Sequence, residues 1–386
     1  MKLLLLVLFG FTIIFAQTDY KKLHHDALVA DMHADALYRY IETGDGFEKL
    51  STKHHLDLVR LKTGGVDIQF FAIWPNPRTN HGTDMYSQSV AIIDTFDNIL
   101  KRNPAALKLA KSPADIERIT TAGKIAACLG LEGGTAIEDN LEKLDYFFNR
   151  GVRYLGITWN NSPSWASSAE DETTPGWKGH RGLTEFGKKV IERMNELGMI
   201  IDVSHSGEQT FYDILETSKK PIIASHSSVY SICPVYRNLK DAQIKALAAK
   251  GGAMFINFNP GFLVKDFDEV YKAAREEADH IQDSLKTSGS SAEFDRSAFI
   301  YKKINPVYPD VATVVDHIDY VVKLVGDDYV GIGSDFDGIN LTPNGLNDVS
   351  KMPNITKELL KRGYSEESIR KILGGNLLRV FKAITE

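Results

Sequence analysis

MIIDVSHSGEQTFYDILETSKKPIIASH, residues 199–226, sets the pattern of the chain. Two short apolar runs, MIIDVSH (199–205) and PIIASH (221–226), each end in Ser-His and bracket a helical stretch. The runs are continuous rather than alternating, as parallel strands are when both faces are buried. Working outward, six more runs share this character: ALVADMHAD (28–36), VDIQFFAIW (66–74), KIAACLGLE (124–132), VRYLGITW (152–159), AMFINF (253–258) and YVGIGSDF (329–336). Helices fit between them. One covers 184–197, with Thr184 as N-cap and Gly198 just past its end. Others cover 241–250, stopped by Gly251-Gly252, and 314–325, closed by Gly326. Strand–helix alternation repeated eight times predicts a closed (β/α)8 barrel. A doubly wound open sheet is the runner-up, but no glycine-rich phosphate loop follows the first strand. Residues 263–308 break the rhythm: they are charged and helix-prone, and read as a helical insertion between strands seven and eight. A lid and a surface insertion with no part in substrate handling are equal readings of it.

The chain has 386 residues, 43% hydrophobic and 25% charged, with a formal net charge of −6. That is ample for a large core, and a single barrel domain over 17–386 accommodates the length. Nucleic-acid binding, which usually demands a basic surface, is not indicated. The start, MKLLLLVLFGFTIIFAQ, places one Lys before an apolar run at 3–15. It is shorter than the about 20 residues of a membrane span and fits a signal peptide over 1–16, ending at Ala16. The expectation is an exported protein, periplasmic or secreted, without a stable membrane anchor after cleavage. Cys128 and Cys233 are the only cysteines and read as core residues. They cannot build a thiolate metal site, so any metal must be held by His and carboxylate.

The chemistry sits at the C-terminal ends of the runs. Strand one ends in His33-Ala34-Asp35, strand three in Glu132, strand five in His205, strand six in His226 and strand eight in Asp335-Phe336-Asp337. In a barrel those ends meet at one mouth. His33 and Asp35, two apart in a strand, project together and form half of a divalent-metal site. His205 and His226 supply the other half. Glu132 lies between the pairs, and its two oxygens can bridge ions about 3.5–4 Å apart. A lone His-x-Asp arises by chance, and a lone core His is usually structural. Five such groups at the ends of apolar runs are another matter, because burying them is costly unless they are paired or metal-bound. Nitrogen and oxygen donors without thiolate favour two Zn2+ per chain over Mn2+ or Co2+. Two ions sharing a water bring its pKa to near 7 and generate hydroxide. Asp335 is then placed to move the proton to a leaving amine, or to act as a weak ligand. Asp337 reads as loop structure.

These stretches resemble the membrane dipeptidase (renal dipeptidase) family of the amidohydrolase superfamily. The resemblance rests on DMHAD (31–35), LGLEGG (129–134), VRYLGITWN (152–160), IIDVSHS (200–206), IIASHSSVYSICPVYRNL (222–239), the 316–338 run and GGNLLRVF (374–381). It implies a distorted TIM-like barrel, two zinc ions, and hydrolysis of dipeptides, including those with a C-terminal D-residue. By position it implies His33 and Asp35 on one zinc, His205 and His226 on the other, Glu132 bridging, and Asp335 moving the proton. It gives Arg237 the substrate carboxylate, a sound role for a bidentate guanidinium. One position departs from the family: Trp159 stands where familiar members carry a His that polarises the substrate carbonyl, and Asn160 or Asn161 is the donor left nearby. Small dipeptides are the expected partners, and a homodimer is an assembly consistent with the family. The alternatives are another amide, lactam or lactone hydrolase of the superfamily and a non-catalytic metal-binding relative.

Overall fold

A computed structural model describes residues 19–77, 84–288 and 293–385. The N-terminal run read as a signal peptide lies outside the described residues. Among the described residues, nine parallel strands form one sheet: β1 (Ala30–Ala34), β2 (Ile68–Ile73), β3 (Leu107–Leu109), β4 (Ile125–Glu132), β5 (Val152–Gly156), β6 (Ile200–Asp202), β7 (Ile222–Ala224), β8 (Ala253–Ile256) and β9 (Val330–Ile332). Eight of them run β1-β2-β4-β5-β6-β7-β8-β9 around the barrel, and β3 is an extra strand beside β4. The circle is completed by a parallel bridge between Ala34 and Phe336. Across this seam Asp35 N donates to Phe336 O (2.9 Å) and Asp335 N to His33 O (3.0 Å). The predicted (β/α)8 barrel is borne out, with all eight predicted runs on its strands. β3 was not foreseen: ALKLA is too short and too weakly apolar to stand out beside its neighbours.

Continuous apolar runs follow from burial on both faces. Met32, Phe70, Ala126, Cys128, Ile200, Ile223 and Phe255 share one apolar cluster inside the barrel. Leu377, Val380, Phe381 and Ile384, from the terminal helix Asn376–Thr385, belong to the same cluster and close the barrel's lower end. Phe71, Leu129, Leu131, Leu155, Ile201 and Met254 face outward into the helix layer. The helix Glu185–Leu197 begins at Thr184, whose side chain accepts from Gly187 N, and ends at Gly198 with φ 67°. The helix predicted over 314–325 starts earlier, at Val311, because Asp310 caps it with a reciprocal bond to Thr313. Between β8 and β9 lie the helices Phe267–Thr287 and Arg296–Ile304, packed around Phe267, Ala274, Ala278, Ile300 and Ile304. Cys128 and Cys233 are both buried and free. Among the described residues no helix is long and apolar enough to cross a membrane.

Candidate metal centre at the barrel mouth

Two slips in strand register set the site. Between β1 and β2, Asp31 pairs with Gln69 but Ala34 with Phe71, so β1 carries one extra residue. Met32 belongs to the interior cluster, and the slip lets His33 turn inward as well. Such bulges commonly re-aim a side chain near a functional site. Between β4 and β5, Leu129 pairs with Val152 but Gly130 with Tyr154. That slip sets Tyr154 inside the barrel, where its hydroxyl lies 2.7 Å from His33 Nδ1. Asp35 is not a strand residue as the sequence pattern suggested: it sits just past β1, at the start of the helix Ala36–Thr43. Its Oδ2 still lies 3.2 Å from His33 Nε2, so the pair converges.

Glu132, the last residue of β4, is the hub. Its Oε2 is 3.4 Å from His33 Nε2. Its Oε1 is 3.0 Å from His205 Nε2 and 3.6 Å from His226 Nε2. His205 Nε2 and His226 Nε2 are themselves 3.0 Å apart. Donor atoms of His33, Glu132 and His226 lie within 4.8 Å of one another, as do those of His33, Asp35 and Asp335. Either set could hold an ion. Asp35 Oδ1 is buried without a hydrogen-bond partner among the described residues, which fits an oxygen whose partner is a cation.

The three imidazoles are oriented from behind. His33 Nδ1 meets Tyr154 Oη, His205 Nδ1 meets Asn160 Oδ1 at 2.8 Å, and His226 Nδ1 meets Ser225 Oγ at 2.7 Å. Ser225 Oγ donates to Asp202 Oδ2 (2.6 Å), which leaves its oxygen free to accept from His226. All three Nε2 atoms therefore point at Glu132. A hydrogen bond on one ring nitrogen that frees the other is the usual support of a metal-binding His. Asn160, expected to touch substrate, borders the cavity, but its side-chain oxygen faces His205. The sequence reading assigned no role to Tyr154, Ser225 or Asp202: Tyr154 lies within an apolar run, and Asp202 and Ser225 precede the histidines that end theirs.

Electrostatics separate the three imidazoles. Burial, reinforced by the Arg237 charge, pulls His205 down to about 3. Burial and the neighbouring His33 hold His226 well below its ordinary value. Both are thus neutral, as ligands must be. Burial alone would lower His33, but Tyr154, Glu132 and Asp35 lift it well above its ordinary value. Burial would raise Glu132, yet His33 and the three imidazole contacts hold it well below the usual carboxylate range. Burial pushes Asp335 up to about 7; His33 opposes the rise, and Asp35 and Glu132 add to it. Asp335 Oδ1 stands 4.0 Å from His33 Nε2, and its Oδ2 accepts from Asn257 Nδ2 at 2.9 Å. His205 and Asp335 both adopt positive φ, 66° and 63°. A non-glycine residue held there is strained, and such strain gathers at functional sites.

Arg237 follows β7 and is 3% exposed. Nη2 donates to His226 O at 3.4 Å, while Nε and Nη1 have no partner among the described residues. Arg237, Trp159, Asn160, Asp335 and Glu132 line one cavity of about 440 Å3. Asp337 is structural. Its carboxylate accepts from His55 N (2.7 Å) and Leu56 N (3.3 Å) and fixes that loop.

The sequence matches the profile of the membrane dipeptidase family, peptidase family M19, over residues 17–386. Dipeptidase 3 of Rattus norvegicus and of Mus musculus are each 32% identical to it over 335 residues, 87% of this chain. The aligned part is 59% of those relatives' own length. The crystal structure of the probable dipeptidase PvdM from Pseudomonas aeruginosa superposes with a TM-score of 0.79 at 26% identity, covering 95% of this chain and 97% of that one. A metallopeptidase from Rhodobacter sphaeroides, liganded with a phosphinate mimic of the dipeptide L-Ala-D-Ala, gives 0.73 at 25% identity over 93% of this chain and 99% of that one. The chain belongs to the membrane dipeptidase family.

Proposed function

We propose that the chain is an exported binuclear zinc dipeptidase that hydrolyses dipeptides with a free C-terminal carboxylate, including those with a C-terminal D-residue. One observation carries the reading: three imidazoles, each held at Nδ1, turn Nε2 toward the two oxygens of a single carboxylate, Glu132. That donor set, nitrogen and oxygen without sulfur, suits zinc. His33 and Asp35 would hold one ion, His205 and His226 the other, and Glu132 would touch both. When bound, such ions acidify a water and polarise the scissile carbonyl.

The chain's own groups do the rest. Arg237, buried with two nitrogens unpaired among the described residues, binds the substrate carboxylate and fixes its register. Asp335, with a carboxyl raised toward neutrality, accepts a proton at Oδ1 and delivers it to the leaving amine. Asn257 holds the other oxygen of Asp335 and keeps Oδ1 turned inward. The R. sphaeroides relative with its L-Ala-D-Ala mimic supports tolerance of a D-residue. Export is supported by the apolar run at 3–15.

Metal analysis and a dipeptide panel on purified protein test the reading. The expected result is about two zinc ions per chain, the usual content of a binuclear site. Turnover of L,L and L,D dipeptides should exceed that of N-acyl amino acids and lactones. Chelation should abolish it, as should His205→Ala. Full activity in that variant, or preference for lactones, overturns the assignment.

A further inference from the structure

One side of the mouth is aromatic, and the chemistry of the metal centre makes no use of it. Tyr38, on the helix after β1, meets Trp74 edge-on with ring centroids 4.8 Å apart. Trp74, one residue past β2, meets Trp159 at 5.0 Å. Trp159, past β5, reaches His205 at 6.3 Å. The rings thus form a continuous path from the outer helix to a metal-ligating imidazole, and all three line the 440 Å3 cavity. The Tyr38 hydroxyl accepts from Asn76 Nδ2 at 2.8 Å, which steadies the outer end. Trp74 Nε1 is buried and makes no hydrogen bond among the described residues. Its ring contacts are with Tyr38 and Trp159. An apolar wall stands in a cavity whose other lining includes Asp35, Arg39, Glu42, Glu132 and Arg237.

Topology says what the wall faces. The rings come from the β1, β2 and β5 arc of the barrel, whereas Arg237 follows β7 and Phe262 follows β8. Glu132 ends β4, between β2 and β5 in the strand order, and its Oε1 reaches His205 and His226, which follow β6 and β7 on the Arg237 side. A substrate anchored by its carboxylate at Arg237 with its peptide bond over Glu132 extends its other end toward the rings. We propose that Tyr38, Trp74 and Trp159 form a subsite selecting a flat, aromatic side chain on the N-terminal residue of the dipeptide, an inference that rests on the dipeptidase reading above. Trp159 is the innermost plate and governs the preference. Its indole replaces a titratable group with a face, so selectivity comes from stacking rather than charge.

The experiment compares Phe-Ala, Ala-Ala and Ala-Phe as substrates of the zinc-loaded protein, and their non-hydrolysed phosphinate analogues as ligands by calorimetry. Wild type is expected to favour Phe-Ala over Ala-Ala in kcat/KM, mostly through KM, by about fivefold to tenfold, the worth of one or two ring contacts. Ala-Phe should gain nothing. Trp159→Ala and Trp74→Leu should collapse the Phe-Ala to Ala-Ala ratio in both turnover and analogue affinity. Trp159→Phe, which keeps a ring and packs more conservatively, should retain part of it. A wild type that binds the Phe-Ala and Ala-Ala analogues equally overturns the subsite, even if it hydrolyses both dipeptides. So does a preference for Ala-Phe, or a ratio that survives both Trp variants. Selective binding of the Phe-Ala analogue without hydrolysis of any dipeptide sustains the subsite and overturns the dipeptidase reading instead.

Discussion

Arg237 concentrates the question of substrate into one guanidinium. With Nε and Nη1 buried and unpaired among the described residues, it carries a desolvation cost that a ligand carboxylate can offset. Arg237→Ala is expected to raise KM for free dipeptides by about 100-fold, the scale of a lost buried charge-assisted contact, and to leave dipeptide amides little changed. Steady-state kinetics on both sets decides it; equal losses on both refute the role. A second residue speaks to stability. His317 is fully buried, accepts from Val229 N at Nδ1 and lies 3.0 Å from Leu263 O through Nε2. This double engagement needs the neutral ring, and burial lowers its pKa to about 4. Between the ordinary histidine value and 4, the unfolded chain binds a proton that the folded chain refuses, so stability falls as pH falls through that window. The loss is on the order of 3 kcal/mol by about pH 4. Urea midpoints measured from pH 7 to 4 should fall, and His317→Gln should flatten part of the slope.

At the scale of elements, the strand ends were readable and the strand registers were not. His33, Glu132, His205, His226 and Asp335 stood out because charged or imidazole groups ended apolar runs. Tyr154 carries no such contrast, being mid-strand in β5, and Asp202, though charged, lies ahead of the Ser-His that ends its run; the one-residue slips in β1 and β5 leave no mark in a continuous apolar pattern. Alternation along strand one was expected to align His33 with Asp35; the two side chains do converge, although Asp35 has already left the strand. The β4–β5 packing makes a sharp prediction. A Cβ on Gly130 would lie 1.9 Å from Tyr154 Cζ, so Gly130→Ala must displace the ring that steadies His33. Overpacking of this kind costs about 3 kcal/mol. Equilibrium unfolding should register that loss. Zinc affinity should fall about tenfold or more, as when a ligand's supporting partner is removed. An unchanged affinity in a folded variant would show that Tyr154 does not orient His33.

Across the whole molecule, the barrel closes where the site is built. Asp31 Oδ2 accepts from Ser334 Oγ at 2.6 Å and Oδ1 from Ser334 N at 2.8 Å, tying β1 to the segment after β9. Asp202 repeats the device with Ser225 between β6 and β7. Ser334→Ala would leave a buried carboxylate short of a donor, at a cost of about 1–3 kcal/mol. The thermal midpoint should drop accordingly, and metal removal should lower it further, since bound ions stabilise only the folded chain. If chelation left the midpoint unchanged, the ligands would not be acting as a clasp. The eightfold strand–helix alternation made this architecture legible in the sequence; the seam was not, because Asp31 and Ser334 lie 303 residues apart and neither resembles its partner. That separation has a consequence for biosynthesis. His33 emerges from the ribosome long before Asp335, so a growing chain presents His33 without its partner across the seam until the segment after β9 is made. The candidate metal pocket is thus assembled late: a chain truncated before β9 keeps His33, Glu132, His205 and His226 but lacks Asp335 and the seam that closes the chamber around them.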